Sequence, residues 1–207
     1  MECPNFPLAV VCESALSRHV CALRCNFEEV QLDADDLRVL AARMAQLRAL
    51  ECDLSLPPPD QPQPISFPAN LRRLDVQISE PTDADQVNAA ITAISRLPLL
   101  EELTVRMDEL DPQISFAPLI ALPRLRSLRV LMTHHGLNES GSAEFSDAQV
   151  DQLRSLPHLH EVEMVMSTSL LRRLLRQPHN LQWQQIPLPY PLDDEQGWHF
   201  ARISPYP

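Results

Sequence analysis

Hydrophobic positions recur along this chain in a pattern of four, L-x-x-L-x-Φ-x-Φ, where Φ is an apolar residue. Six segments carry the pattern, and their first positions are Val20, Leu47, Leu71, Leu100, Leu125 and Leu159. Successive copies are 27, 24, 29, 25 and 34 residues apart. The last three apolar positions of each copy predict a strand with one buried face. Self-similarity at this period predicts a stack of repeats, because each unit buries its apolar face against its neighbours.

Three further columns of the pattern predict the core-facing side chains of these strands. The second column is Leu23, Leu50, Leu74, Leu103, Leu128 and Val162. The third is Cys25, Cys52, Val76, Val105, Val130 and Met164. The fourth is Phe27, Leu54, Ile78, Met107, Met132 and Met166. We therefore expect strands near 102–106 and 127–131, with the second and third columns buried.

Two of the segments, 97–105 and 122–130, share the form L-P-x-L-x-x-L-x-V and resemble leucine-rich repeats. The form and the period are most similar to the long-repeat relatives of ribonuclease inhibitor and to the repeat regions of F-box proteins, and the resemblance covers roughly residues 20–185. It implies an α/β fold, a leucine-rich-repeat solenoid. A curved parallel β-sheet would form the concave face, with helices and irregular segments on the convex face. Most copies lack the Asn or Cys that the family places after the strand.

The connections between strands differ in kind. Apolar residues at helical spacing predict helices over Asp33–Gln46, with Asp33 as N-cap, and over Thr82–Leu97, Ser146–Leu156 and Thr168–Arg176. The proline-rich segment Leu56–Pro68 is expected to be extended. Phe116–Leu122 has room for one or two helical turns.

We expect two regions, a repeat domain over 1–186 with six to seven irregular repeats, and a proline-rich cap or tail over 187–207. Leu181, Trp183 and Ile186 would form a last, degraded repeat. Trp198 and Phe200 would pack a closing cap, the alternative being a loose tail. An insertion over 134–142 is expected to form an edge loop that either contacts a partner or has no role.

Composition excludes several classes of function. A net charge of −11 argues against a nucleic-acid binder, which needs clustered positive charge. The sequence has no apolar run of about 18 residues that would span a membrane, and its first residues do not resemble a secretory signal. We expect an intracellular monomer, in the cytoplasm or nucleus.

The five cysteines are not spaced like a disulfide framework. Cys25 and Cys52 occupy an inward column, so we expect both to be reduced, buried core residues without metal. The alternative is a zinc cluster of Cys21 and Cys25 with Cys3, Cys12 and His19, but structural zinc usually needs two tight pairs.

All 17 basic residues are arginine, although lysine is among the commonest residues in proteins. One explanation is codon bias in a GC-rich genome. The other is selection against ubiquitin acceptor amines, which would suit a ligase component or a protein delivered into a host cell.

The sequence contains no phosphate-binding or nucleophile motif. Two histidine pairs, His134–His135 and His158 with His160, lack a third ligand and predict no metal site. Glu161 and Glu163 share a strand face, but an open surface would not shift the pKa of either carboxyl. We therefore expect no enzyme, cofactor or small-molecule substrate.

The residues between the apolar columns predict a partner-binding surface. They are Arg73, Asp75, Gln77, Glu102, Thr104, Arg106, Ser127, Arg129, Leu131, Glu161, Glu163 and Val165. Their mixed charge favours a protein or peptide partner. We expect Arg106→Glu with Arg129→Glu to abolish binding at nearly unchanged melting temperature, and Arg38→Glu with Arg43→Glu to leave binding intact. The alternative functions are substrate recognition in a ubiquitin-ligase assembly, a lysine-free effector in a host cell, and a structural remnant of a longer repeat protein.

Overall fold

The computed structural model describes residues 18–25, 31–58, 63–78, 83–107, 110–132, 145–159, 161–167, 182–186 and 198–204, and after residue 159 it describes the backbone. The strands are β1 (Ala22–Arg24), β2 (Gln31–Leu32), β3 (Ala49–Leu54), β4 (Arg73–Ile78), β5 (Glu102–Met107), β6 (Ser127–Met132), β7 (Glu161–Ser167), β8 (Gln182–Ile186) and β9 (Trp198–Ser204). The helices are α1 (Ala34–Arg43), α2 (Ala84–Ile94) and α3 (Asp147–Arg154), and a short 3-10 helix covers Ala117–Ala121.

The described strands form one sheet in which β1, β3, β4, β5, β6 and β7 lie side by side in chain order and run parallel. β2 also pairs with β3, beyond the end of β1. The buried residues of α1, α2 and α3 belong to the same hydrophobic core as the strand columns. The helices therefore cover one face of the sheet, and the predicted α/β class with a parallel sheet is confirmed.

The strand register joins the predicted columns across the sheet. Leu50, Leu74, Leu103 and Leu128 are successive partners, and so are Cys52, Val76, Val105 and Val130. Every one of these side chains is at most 1% exposed. The strands predicted near 102–106 and 127–131 are confirmed, because the columns that define them form the core.

One backbone contact recurs at the start of each strand from β3 to β6. At each of these places, one backbone carbonyl oxygen accepts hydrogen bonds from two consecutive backbone amides at the start of the neighbouring strand. Cys21 O accepts from residues 48 and 49, Arg48 O from 72 and 73, Arg72 O from 101 and 102, and Glu101 O from 126 and 127. The acceptors follow one another at 27, 24 and 29 residues, as the first four apolar positions do. The sequence period therefore corresponds to a repeated local geometry.

The fourth column differs from prediction in the first copy. Leu32 of β2 lies opposite Leu54 and is fully buried, so it occupies the place that the pattern assigns to Phe27. Phe27 itself lies outside the described residues. The pattern misplaces the column because it assumes a continuous first strand, whereas two short strands, β1 and β2, pair with β3.

The three described helices begin where the sequence predicts. Asp33, Asp83 and Ser146 are their N-caps, and each forms a capping box with the third helical residue. These reciprocal bonds satisfy amide groups that a helix start leaves without partners. The 3-10 helix supplies the short turn expected over 116–122. No helix or strand occurs in the described parts of the proline-rich segment, 55–58 and 63–68.

Amide side chains of the helices bind the irregular connections beside them. The Asn88 side chain donates to Gln113 O at 3.2 Å and accepts from the amide of Ser115 at 2.7 Å. Gln149, which is 1% exposed, donates to the carbonyls of Asp111 and Ile114, each at 2.9 Å. These contacts satisfy backbone groups of a connection that has no regular helix over most of its length.

The C-terminal segment enters the sheet by a route that the repeats do not predict. β9 pairs antiparallel with β7, and β8 pairs antiparallel with β9. The last degraded repeat expected around Trp183 is therefore wrong, because β9 occupies the edge of β7 that a further parallel strand would use. Trp198 and Phe200 lie on β9. Residues 198–204 fall in the segment 187–207 that the sequence assigned to a cap or tail, and they form a strand of the sheet.

Several predictions fall outside the described residues. They are the helix over 168–176, the insertion over 134–142 with its two histidines, and the possible zinc ligands Cys3 and Cys12. In the part of the chain that the structure describes, no group of three His, Cys, Asp or Glu side chains is placed to hold a metal ion.

The thiols of the inward column are expected to react slowly. Cys25 and Cys52 are buried, whereas Cys21 is exposed. Burial, with smaller contributions from Cys25 and nearby carboxylates, raises the pKa of the Cys52 thiol well above its usual range and so suppresses the reactive thiolate. Alkylation of the native protein, mapped by peptide mass spectrometry, should label Cys21 first and Cys52 last. Equal labelling rates at Cys21 and Cys52 before denaturant is added would contradict this placement.

The polar face of the sheet as a candidate functional site

The face of the sheet opposite the helices carries the intervening residues of the strands. We call it the polar sheet face. Its first row is Ala49, Arg73, Glu102, Ser127 and Glu161; its second is Arg24, Glu51, Asp75, Thr104, Arg129 and Glu163; its third is Asp53, Gln77, Arg106 and Leu131. Neighbours within a row are about 4.8 Å apart along the sheet. The parallel register therefore brings the predicted site residues together on one surface.

Ion pairs link neighbouring strands across this face. Arg24 Nε lies 3.0 Å from Glu51 Oε1, and Arg73 Nε lies 3.7 Å from Glu102 Oε2. The side chains of Arg73 and Glu102 are 60% and 58% exposed, so solvent screens their attraction and the pair adds little to stability. Both groups remain accessible to a partner.

The strongest contact on the polar sheet face joins Asp75 on β4 to Arg106 on β5. Arg106 Nε donates to Asp75 Oδ1 and Arg106 Nη2 donates to Asp75 Oδ2, both at 2.9 Å. Two parallel charge-assisted bonds fix both side chains more firmly than a single contact would. The Asp75 side chain is 10% exposed and that of Arg106 is 34% exposed, so the pair is partly shielded from water.

Two of the predicted contact residues are covered by their neighbours. Asp75 is 7% exposed and Thr104 is 8% exposed, although the strand alternation places both on the polar sheet face. They therefore offer less surface to a partner than the exposed Arg73 and Glu102 do. Asp75 is covered because Arg106 reaches across from β5 and binds both of its carboxylate oxygens.

The other predicted residues divide by their exposure. Arg73 and Glu102 are exposed, whereas the side chains of intermediate exposure are Gln77, Arg106, Ser127, Arg129 and Leu131. Gln77, Ser127 and Arg129 have partners within the fold. The backbones of Glu161, Glu163 and Val165 lie on β7, and their side chains lie outside what the structure describes.

The sequence prediction missed the part of this face on β1 and β3. Arg24, Glu51 and Asp53 continue the rows of Asp75 and Gln77, and the Gln31 amide donates to Asp53 at 3.2 Å. The signal was present, because Cys25 and Cys52 stand in the same column as Val76. Their outward neighbours could have been assigned by the same alternation.

The geometry of the polar sheet face favours recognition. It offers exposed charges of both signs and the half-buried Leu131 on a sheet held by cross-strand bonds.

None of the helices in the described part of the chain has the length and apolar character that crossing a membrane requires. No family model, no curated protein and no solved structure matches this chain.

Proposed function

We propose that the chain is a leucine-rich-repeat solenoid and that it is a non-enzymatic interaction module, which binds a protein or peptide through the polar sheet face. The proposal is supported by the recurring carbonyl contact at the sequence period and by the parallel strands in chain order. In this interpretation the polar sheet face is the concave surface. The module acts as a monomer in the cytoplasm or nucleus and needs no cofactor.

One observation carries the functional part of the proposal. Arg73, Glu102 and Arg106 present charges of both signs on adjacent strands, and each is already held by a cross-strand pair. A side chain that is ordered before binding, as Arg106 is by its two bonds to Asp75, loses less conformational entropy when a partner docks. Mixed charge without a large apolar patch suits a folded protein or a polar peptide.

Exchanging the charges of one exposed pair should prevent binding while preserving the fold. The variant Arg73→Glu with Glu102→Arg keeps the ion pair and the net charge but inverts the charge pattern that a partner meets. We expect its affinity to fall about tenfold or more, with a melting temperature within about 2 °C of the parent. A partner identified by cross-linking mass spectrometry would be purified, and its binding to both proteins measured by calorimetry.

The control for this experiment is Arg38→Glu on α1. Arg38 lies on the helical side with its side chain 55% exposed, and the substitution changes the net charge by two. It should leave the affinity unchanged. Equal loss in both variants would contradict the proposal, because binding would then not depend on the charge pattern of the polar sheet face in particular, and loss in Arg38→Glu alone would place the binding site on the helical side.

The absence of lysine favours a second candidate function. A substrate-recognition subunit of a ubiquitin ligase, or an effector acting inside a host cell, would benefit from lacking ubiquitin acceptors. Introducing lysine at two exposed positions, Arg18→Lys and Arg38→Lys, should shorten the half-life of the protein in a eukaryotic cell. A proteasome inhibitor should restore it. A half-life unaffected by these substitutions would leave codon bias as the explanation.

A further inference from the structure

A cluster of arginines lies where the chain enters the parallel strands. The helices and connections all return the chain to the same edge, at which β3, β4, β5 and β6 begin. We call this the strand-start edge. The arginines in its turns and first strand positions are all exposed: Arg48, Arg72, Arg73, Arg96, Arg124 and Arg126.

Two of these six arginines are paired with glutamates. Arg72 pairs with Glu101 at 3.4 Å and Arg73 with Glu102 at 3.7 Å. Within the described residues, the side chains of the other four form no ion pair or hydrogen bond. Four charged guanidinium groups are therefore available to an external ligand.

The capping of helix ends does not explain the cluster. Cations are favoured at helix C-termini, where carbonyl groups lack partners. At the end of α2 those carbonyls are already occupied, because the amides of Arg96 and Leu97 donate to Ala93 O and Ile94 O at 3.2 and 3.0 Å. The amide of Met44 likewise donates to Leu40 O at the end of α1, at 2.9 Å. The arginine side chains form none of these bonds.

The strand-start edge is positively charged, whereas the protein as a whole is negatively charged. Six arginines face two glutamates, Glu101 and Glu102, so the edge carries four positive charges in excess, whereas the chain as a whole carries −11. The opposite edge of the sheet, where α1, α2 and α3 begin, carries aspartates: Asp33, Asp35, Asp36, Asp83, Asp85 and Asp147. The charges of the protein are therefore separated between the two edges.

We propose that the strand-start edge binds a short acidic peptide segment of a partner protein. Arg48, Arg72 and Arg126 lie in one row with Glu101, which stands between Arg72 and Arg126 and is paired with Arg72. The row is linked by the hydrogen bonds of Arg72 N to Arg48 O at 2.7 Å, of Glu101 N to Arg72 O at 2.8 Å and of Arg126 N to Glu101 O at 2.8 Å. At about 4.8 Å per strand, the row from Arg48 to Arg126 is about 14 Å long, which an extended peptide of about four or five residues spans. Carboxylates along such a peptide meet guanidinium groups that bind them by charge-assisted hydrogen bonds.

A nucleic acid fits this edge less well than a peptide does. Its phosphates would continue beyond a row of this length onto a surface whose remaining charge is acidic. Like charges repel one another over a Debye length of about 8 Å at physiological salt. The acidic surface beyond the row would therefore repel a long polyanion, whereas a short peptide would hardly reach it. The length of the row therefore favours a short acidic peptide segment over a nucleic acid.

This inference concerns the arginines in the turns before the strands, and it does not depend on a partner binding to the polar sheet face, with which the strand-start edge shares Arg73 and Glu102. The test variant is Arg48→Gln with Arg126→Gln, because neither side chain has an ion pair to lose among the described residues. The matched control is Arg24→Gln with Arg38→Gln, which changes the net charge by the same amount at exposed positions away from the strand-start edge, on the polar sheet face and on α1. The probe is a short fluorescein-labelled peptide of alternating glutamate and serine, and its binding is measured by fluorescence anisotropy at low and high salt.

We expect the parent protein and the control variant to bind the glutamate peptide with similar affinity, and the edge variant to bind it about tenfold more weakly. Added salt should weaken binding to the parent. A glutamine version of the peptide that binds equally well would overturn the proposal, as would equal loss in both variants. Tighter binding of a short oligothymidylate than of the glutamate peptide would overturn the choice of partner. The variant Arg48→Gln with Arg126→Gln leaves Arg73, Glu102 and Arg106 unchanged, so a failure of this proposal is distinguishable from a failure of the function proposed for the polar sheet face.

Discussion

Val105→Asp is expected to lower the free energy of unfolding by about 3–5 kcal/mol. Val105 is 1% exposed, and its register partners Val76 and Val130 are fully buried. The new carboxylate would enter this apolar column without a cation or a hydrogen-bond donor from it. Because a domain of ordinary size has a total stability of about 5–15 kcal/mol, the variant should be close to unfolding. Urea denaturation followed by circular dichroism measures the change.

The matched control is the same substitution at Val39 on α1. Val39 is 42% exposed, and an aspartate at this position lies one helical turn before Arg43, with which it is able to interact favourably. We expect Val39→Asp to change the stability by less than about 1 kcal/mol. A Val105→Asp variant as stable as Val39→Asp would disprove the strand register and the column assignment together.

Arg106→Glu is expected to destabilise the protein by about 2–4 kcal/mol. The substitution removes both hydrogen bonds to Asp75 and places a second negative charge beside a carboxylate whose side chain is 10% exposed. This loss of stability is smaller than the loss expected when a fully buried ion pair is broken, because the Arg106 side chain is 34% exposed and water reaches part of it. The sequence-based expectation that Arg106→Glu with Arg129→Glu leaves the melting temperature nearly unchanged is therefore replaced by this one.

A double-mutant cycle separates the pair from its surroundings. Stabilities of Arg106→Gln, Asp75→Asn and the combined variant give the coupling energy between the two side chains. The control is Arg73→Gln, which breaks the exposed pair with Glu102 and should cost at most about 1 kcal/mol. If Arg106→Gln costs no more than Arg73→Gln, the bidentate contact does not organise the polar sheet face.

Much of the architecture follows from local features of the sequence. The four-position pattern predicts the columns around Leu103 and Val105, because side chains alternate along a strand and repeats stack at a constant register. Asp33, Asp83 and Ser146 predict the helix starts, because an N-cap interacts with residues three positions away or closer. Cys52 could be assigned to the core from its column, since that position is occupied by valine in neighbouring repeats.

The candidate site was predictable as a set of residues but not as a surface. Alternation assigns Asp75 and Thr104 to the polar sheet face, and the register confirms that they lie beside Arg73, Glu102 and Arg129. Alternation does not reveal that Arg106 covers Asp75, because the two residues are 31 positions apart and the contact depends on the direction of a long side chain.

The sequence by itself determined the period, the strand columns and the helix starts, since each depends on residues close together in the chain or on a pattern repeated at a fixed interval. The tertiary structure decided which polar groups meet. Asn88 and Gln149 find their backbone partners 25 to 38 residues away, and β9 inserts between β7 and β8. Those contacts have no sequence signal, because they depend on how consecutive repeats are placed against one another.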